Sequence, residues 1–163
     1  MNRRRPLAVA LVAVVAADWI TKFLVQNHFH IGSLHPVVDG WVWLAHRRNP
    51  CVAFSFCPPA PAGWELVVLL LASLAGIAVA GTILAKTRDA ATRVAAGLVI
   101  AGAVGNLGDR LMNGAVTDFI VIRFFPYVFN VADVAITAGA ILLALRMFFE
   151  EPHGGSASTP APS

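Results

Sequence analysis

The chain has 163 residues, 58% of them hydrophobic and only 13% charged, with a mean hydropathy of +0.72. A soluble domain carries about 25% charged residues, so this composition argues against one and for a polytopic membrane protein of single-domain length. The formal charge of +3, twelve Lys/Arg against nine Asp/Glu, comes without a basic patch interleaved with aromatics. It fits membrane orientation, and no nucleic-acid partner is expected.

A bilayer crossing takes about 20 mostly apolar residues. The first candidate covers residues 7–25, behind Arg3, Arg4 and Arg5. Its length, its internal Asp18 and Lys22, and the lack of a clean A-x-A site favour a retained helix over a cleaved signal peptide. A long loop follows, from about Gln26 to Gly63. Within it, "VVDGWVWLAHRRN" sets Asp-Gly between Val and Trp residues, a hairpin signal. Further crossings are expected over residues 64–85, 91–112 and 131–149. The tail "HGGSASTPAPS" has the composition of a disordered segment. The expected fold class is therefore all-α membrane: four transmembrane helices with a small extracytoplasmic β-sheet or loop element. Residues 1–150 form the membrane domain and residues 151–163 the tail.

Basic residues set the orientation. Arg3 to Arg5 flank the first crossing, and Lys86, Arg88 and Arg93 flank the connection of the second to the third. With four crossings both groups fall on one side, so both termini are expected in the cytoplasm. Arg47 and Arg48 oppose this weakly from a longer loop. Trp41, Trp43 and Trp64 suit an outer interface.

On that topology the polar residues of the apolar segments share one depth. Asp18 and Lys22 lie near the outer end of the first helix, four residues apart on one face. Asn106, Asp109 and Arg110 lie near the outer end of the third. Asn130 and Asp133 open the fourth, as an N-cap and a first-turn acid, and Asp118 lies in the outer connection. Each has a bland reading: a helix-end ion pair for Asp18 and Lys22, interhelical glue for Asn106, Asp109 and Arg110, a helix start for Asp133, a solvated loop acid for Asp118. Charges inside membrane segments are expensive and usually face a bundle interior or wet cavity, so their gathering points to one polar site. Two carboxylates sharing a proton supply an acid and a base without a metal. No metal is expected, because CxxC and HExxH signatures are absent and the histidines are scattered. Ser33, Ser55 and Ser73 lack a His/Asp context for a serine mechanism. Two competing readings are a binding protein or small transporter with an ion relay, and a purely structural subunit. Against the transporter, the polar residues do not span the bilayer depth and no inverted repeat is visible.

Five blocks carry a family resemblance: "DWITK" at Asp18 to Lys22, "RNPCVAFSF" at Arg48 to Phe56, "GNLGDRL" at Gly105 to Leu111, "GAVTDFI" at Gly114 to Ile120, and "FNVADVAI" at Phe129 to Ile136. With them the chain resembles lipoprotein signal peptidase, also called signal peptidase II, over all but the tail. The resemblance implies an intramembrane aspartyl endopeptidase of the bacterial cytoplasmic (inner) membrane, with its active site near the outer leaflet. It would remove signal peptides from diacylglyceryl-modified prolipoproteins, cleaving before the lipidated cysteine. By block matching, Asp118 and Asp133 are the catalytic pair; Asn49, Asn106, Asp109, Arg110, Asn130, Asp18 and Lys22 bind substrate or support the site. The implied partners are diacylated prolipoproteins, membrane lipid and globomycin-type inhibitors; no cofactor is implied, and a monomer suffices. One departure stands out. The family usually reads Asn-x-Gly-Ala-Ala-Phe where this chain has "NPCVAF", so Pro50, Cys51 and Val52 alter a loop that normally contains glycine. Cys51 and Cys57 lie close enough in sequence to form a disulfide if that loop is extracytoplasmic.

Overall fold

The computed structural model describes residues 4–51 and 64–149. Four helices are long and apolar enough to cross a membrane: α1 (Arg4–His28), α2 (Glu65–Lys86), α3 (Ala90–Asn113) and α4 (Val131–Phe149). Four strands join them: β1 (Leu34–Val38), β2 (Val42–Asn49), β3 (Val116–Ile122) and β4 (Phe125–Phe129). The expected fold class holds. The tail and most of the "NPCVAFSF" block, with Val52 and Cys57, lie outside the described residues.

α3 is the central helix. Its most apolar window is 44% buried, against 11–17% for the other three. Small residues make this possible, because helices in lipid associate by close packing rather than by a hydrophobic drive. A Cβ at Gly102 would collide with the carbonyl oxygen of Ala132 on α4. One at Gly139 of α4 would come within 2.6 Å of Ala95 O on α3. The two backbones therefore touch, and the start of α4 is pinned against the middle of α3 at Gly102.

The sheet is antiparallel in the order β1-β2-β3-β4. Its first hairpin turns where Asp39-Gly40 predicts, with Gly40 at φ 73°. The second hairpin, β3–β4, makes up the connection between α3 and α4 in which the sequence placed Asp118. Its signal was present: "VTDFIVI" is rich in β-branched residues and follows Gly114, which ends α3 in the left-handed conformation (φ 70°) and donates to Arg110 O at 2.9 Å. Asp118 thus sits in a central strand and is no loop acid.

Two features bind sheet to bundle. A bulge in β2 lies between Leu44 and Arg47. Within it, the His46 ring nitrogen Nδ1 contacts Phe29 O at 2.8 Å, just beyond α1. Arg48 reaches the Asn113 carbonyl at the end of α3, occupying one of the acceptors that a helix C-terminus leaves open.

Candidate active site

The site is built from three places: the C-terminal end of α3, the middle of β3 and the first turn of α4. Asn130 is the N-cap of α4. Its Oδ1 accepts from Asp133 N at 2.9 Å, and Asp133 Oδ2 accepts from Asn130 N at 3.2 Å. This is a reciprocal capping box, with Asp in the place usually held by Glu or Gln. The bland reading of Asp133 as a helix-start residue is therefore true of one of its oxygens. Its other oxygen, Oδ1, accepts from Asn106 Nδ2 at 2.8 Å.

The same Asn130 reaches the second acid. Its Nδ2 donates to Asp118 Oδ1 at 2.7 Å, and Asn49 Nδ2 donates to Asp118 Oδ2 at 2.9 Å. Asp118 is 2% exposed. Burial first, and then the neighbouring charge of Asp133, push its carboxyl up to about 7; the hydrogen bonds from Asn49 and Asn130 and the Lys22 charge oppose this. No cation lies within ion-pair distance of Asp118 or Asp133 among the described residues.

Both acids line one cavity of about 220 Å³, together with Asn49, Asn106 and Arg110. On its α2 side the wall is Ala72, Ser73 and Gly76, and a Cβ at Gly76 would meet nothing within 4 Å. These small side chains leave open the space facing the acids. Arg110 donates from Nη2 to Cys51 O at 3.0 Å and so ties β2's exit to α3. Its buried Nε has no protein partner among the described residues. Cys51 is disulfide-bonded.

Asp18, Lys22 and Asp109 do not line this cavity. They form a buried layer behind it. Lys22 Nζ lies 2.8 Å from Asp18 Oδ2, 3.7 Å from Asp109 Oδ2, and donates to Asn106 Oδ1 at 2.9 Å. Asp18 Oδ1 accepts from Ala132 N at 2.8 Å, beside Asp133. Asp109 Oδ2 accepts from Thr117 N at 2.6 Å, beside Asp118. One acid of the layer thus holds each half of the front pair.

Sequence reasoning missed Gln26. Its Nε2 donates to Thr117 Oγ1 at 2.7 Å and to Asp109 Oδ1 at 3.4 Å. The signal was available, since Asp18, Lys22 and Gln26 recur at four-residue spacing on one face of α1. Thr117 and the α2 residues Ala72, Ser73 and Gly76 carried no such signal, because only the folded chain brings them to the site.

Among the described residues no group of three His, Cys, Asp or Glu side chains is arranged to hold a metal ion. The donors to the two acids are amide nitrogens of Asn49, Asn106 and Asn130.

Known proteins resemble this chain over most of its length. A model of the family described as "Signal peptidase (SPase) II" matches residues 10–149. A lipoprotein signal peptidase of Streptococcus pyogenes is 31% identical over 153 residues, covering 93% of this chain and 99% of the relative. One of Desulfitobacterium hafniense is 34% identical over 143 residues, covering 88% and 93%. A solved bacterial membrane enzyme superposes with a TM-score of 0.79 at 26% identity, covering 88% of this chain and 87% of the other. A second does so with a TM-score of 0.78 at 25% identity, covering 90% and 94%. The chain belongs to the signal peptidase II family, the A8 family of aspartic peptidases.

Proposed function

We propose that the chain removes signal peptides from diacylglyceryl-modified prolipoproteins, cutting before the lipidated cysteine, with Asp118 and Asp133 as the catalytic pair. Family membership supports the lipoprotein substrate. The observation that carries the mechanism is the placement of two carboxylates on one small cavity, joined through Asn130, with no cation within ion-pair distance of either among the described residues. A buried acid so placed keeps its proton more readily than a free one.

The roles follow from surroundings. Asp118, pushed up to about 7, carries the proton. Asp133 lies in the first turn of α4, where the helix dipole favours a carboxylate. Asp133 takes a proton from water as the water oxygen attacks the scissile carbonyl, and Asp118 gives its proton to the carbonyl oxygen. The tetrahedral intermediate collapses when Asp133 passes its proton to the departing cysteine nitrogen and Asp118 recovers one from the hydroxyl. Asn49, Asn106 and Asn130 donate to the carboxylates and hold their planes. Arg110 Nε supplies a donor for a substrate carbonyl within the cavity. The substrate enters laterally from the bilayer of a bacterial inner membrane, with the site towards the outer leaflet and both termini cytoplasmic. The single chain suffices, and globomycin-type inhibitors act by occupying this cavity.

The test is in vitro cleavage of a diacylated prolipoprotein by the purified protein and its Asp118→Asn and Asp133→Asn variants. Each variant is expected to lose activity by about 10³-fold or more. Full activity in either one sinks the dyad.

A further inference from the structure

The turn that leaves β2 carries the chain's departure from its family, with Pro50-Cys51 in a loop that usually contains glycine. Asn49, the last residue of β2, uses both ends of its side-chain amide there. Nδ2 donates to Asp118 Oδ2 at 2.9 Å, and Oδ1 accepts from Cys51 N at 2.9 Å. A backbone N–H can only donate. Cys51 N therefore decides that the oxygen of Asn49 faces the turn and that its NH₂ faces the acid. Pro50 stands between the two partners with its φ fixed and no N–H of its own, which suits such an Asx turn. Cys51 is 6% exposed. Its carbonyl accepts from Arg110 Nη2 of α3 at 3.0 Å, and its sulfur is disulfide-bonded. Cys57 is the only other cysteine in the sequence.

We infer that the disulfide at Cys51 is a positioning device for the acid pair: it holds the Asn49-Pro50-Cys51 turn in the arrangement that aims the Asn49 amide at Asp118. The inference rests on the dyad reading above and names what sets one of the dyad's hydrogen bonds. Cys51 touches neither acid and acts through Asn49. The hydrogen bonds at Cys51 N and Cys51 O compete with bonds to water, which leaves each a small net advantage. A covalent bond on the same residue has no such competitor. It removes alternatives open to the turn, and it persists on an oxidising side of the membrane, where the proposed topology puts β2.

Without the disulfide, Cys51 N can leave Asn49 Oδ1, and the amide is free to turn away from Asp118. The bond from Asn49 favours the ionised carboxyl, against burial and the Asp133 charge. Its loss raises Asp118 further. Protonated Asp118 is the acid of the reaction, so the alkaline limb of the kcat/KM profile then moves to higher pH. The other charges around Asp118 are Asp133 of α4, Asp18 and Lys22 of α1, Asp109 and Arg110 of α3, and Arg47 opposite it on β2. Of these, Arg110 also bonds Cys51. A freed guanidinium turning to the acids would move the limb to lower pH, so the direction separates the two routes.

Cys57→Ser frees the sulfur of Cys51 without altering the three residues of the turn. With thermal unfolding in detergent showing a folded chain, it is expected to lower kcat on a diacylated prolipoprotein by about 10-fold, leave KM within about twofold and move the alkaline limb upward. Asn49→Ala should lose at least as much. The double variant should be no worse than Asn49→Ala, because both changes remove the same contact. Dithiothreitol gives the disulfide two electrons and two protons, leaving two cysteine thiols and its own cyclic disulfide. With reduction verified by thiol alkylation, it should bring the unaltered protein to the level of Cys57→Ser and leave Cys57→Ser as it was. If Cys57→Ser does not fold, the reductant arm on the unaltered protein decides alone. Unchanged kcat after loss of the disulfide overturns the inference. So do additive losses in the double variant, a loss carried wholly by KM, or a limb that moves to lower pH. Full activity of Asp118→Asn in the same assay would instead defeat the dyad reading.

Discussion

Lys22 Nζ donates to Asn106 Oδ1 at 2.9 Å, and this bond decides which way the Asn106 amide points. Asn130 Nδ2 approaches the same oxygen at 3.2 Å. With two donors on its oxygen, Asn106 can only present its NH₂ to Asp133, and it does so at 2.8 Å. A lysine that never reaches the cavity therefore sets a hydrogen bond on a proposed catalytic acid. This joins the structural and functional readings of the helix-one pair. Asp18 and Lys22 are a buried ion pair, and that pair orients the site.

Lys22→Met is expected to lower stability by about 3–5 kcal/mol, because it leaves the Asp18 carboxylate buried without its cation. Thermal unfolding in detergent measures this. Adding Asp18→Asn should recover part of the loss, since the unpaired charge is then gone. The double variant should remain impaired in kcat, because nothing restores the Asn106 amide.

The acid–base assignment has a sign in pH. Asp118 is raised from 3.8 to about 7 on folding, so between those values the folded chain binds more protons than the unfolded one. Its contribution to stability is full below pH 4, declines as pH rises, and is lost above about 7; the span is on the order of 4 kcal/mol. Asp118→Asn removes the titration, so its unfolding temperature should fall less steeply from pH 4 to pH 7 than that of the unaltered protein. An equally steep fall would mean that Asp118 keeps an ordinary carboxyl. In the same frame, kcat/KM should drop about tenfold per pH unit above 7, as the pair loses its shared proton.

Two glycines should behave oppositely. A Cβ at Gly105 would lie 2.5 Å from Asp18 Oδ2 and 3.2 Å from the Ala132 Cβ. Gly105→Ala should therefore destabilise by about 1–3 kcal/mol and reduce activity, by forcing α1 and α4 off α3. Gly76 has open space around it and lines the cavity. Gly76→Ala should leave stability unchanged or raise it by up to ~1 kcal/mol through helix propensity. Its methyl group should raise KM by narrowing the substrate's space. Unfolding curves and steady-state kinetics on both variants test the pair.

Arg110→Lys should raise KM more than it lowers kcat. The guanidinium spans from the cavity to Cys51 O at 3.0 Å. An ammonium on a shorter, unforked head cannot keep that bond and also present a second donor. A loss confined to kcat would place Arg110 in the chemistry and not in substrate binding.

Much of this was legible in the sequence because a bilayer leaves few options. Backbone groups in lipid must be satisfied within a helix, so four apolar runs of adequate length gave the fold class. Charged residues in such runs must face inward, which isolated Asp18, Lys22, Asp109, Arg110 and Asp133 as a group. Asn130 was readable as a helix start from local capping chemistry alone. The tertiary structure decided the rest. Asp118 lies in a strand rather than a loop because β3 finds a partner in β2, a pairing distant in sequence. The charged group divides into a front pair and a rear layer because α3 is tightly packed on both sides, sending Asp109 towards α1 and Asn106 towards α4. Gly76 acquires its place only through that packing. Sequence periodicity determines which face of a helix a residue occupies; which neighbour that face meets depends on how closely the small residues of α3 let the helices approach.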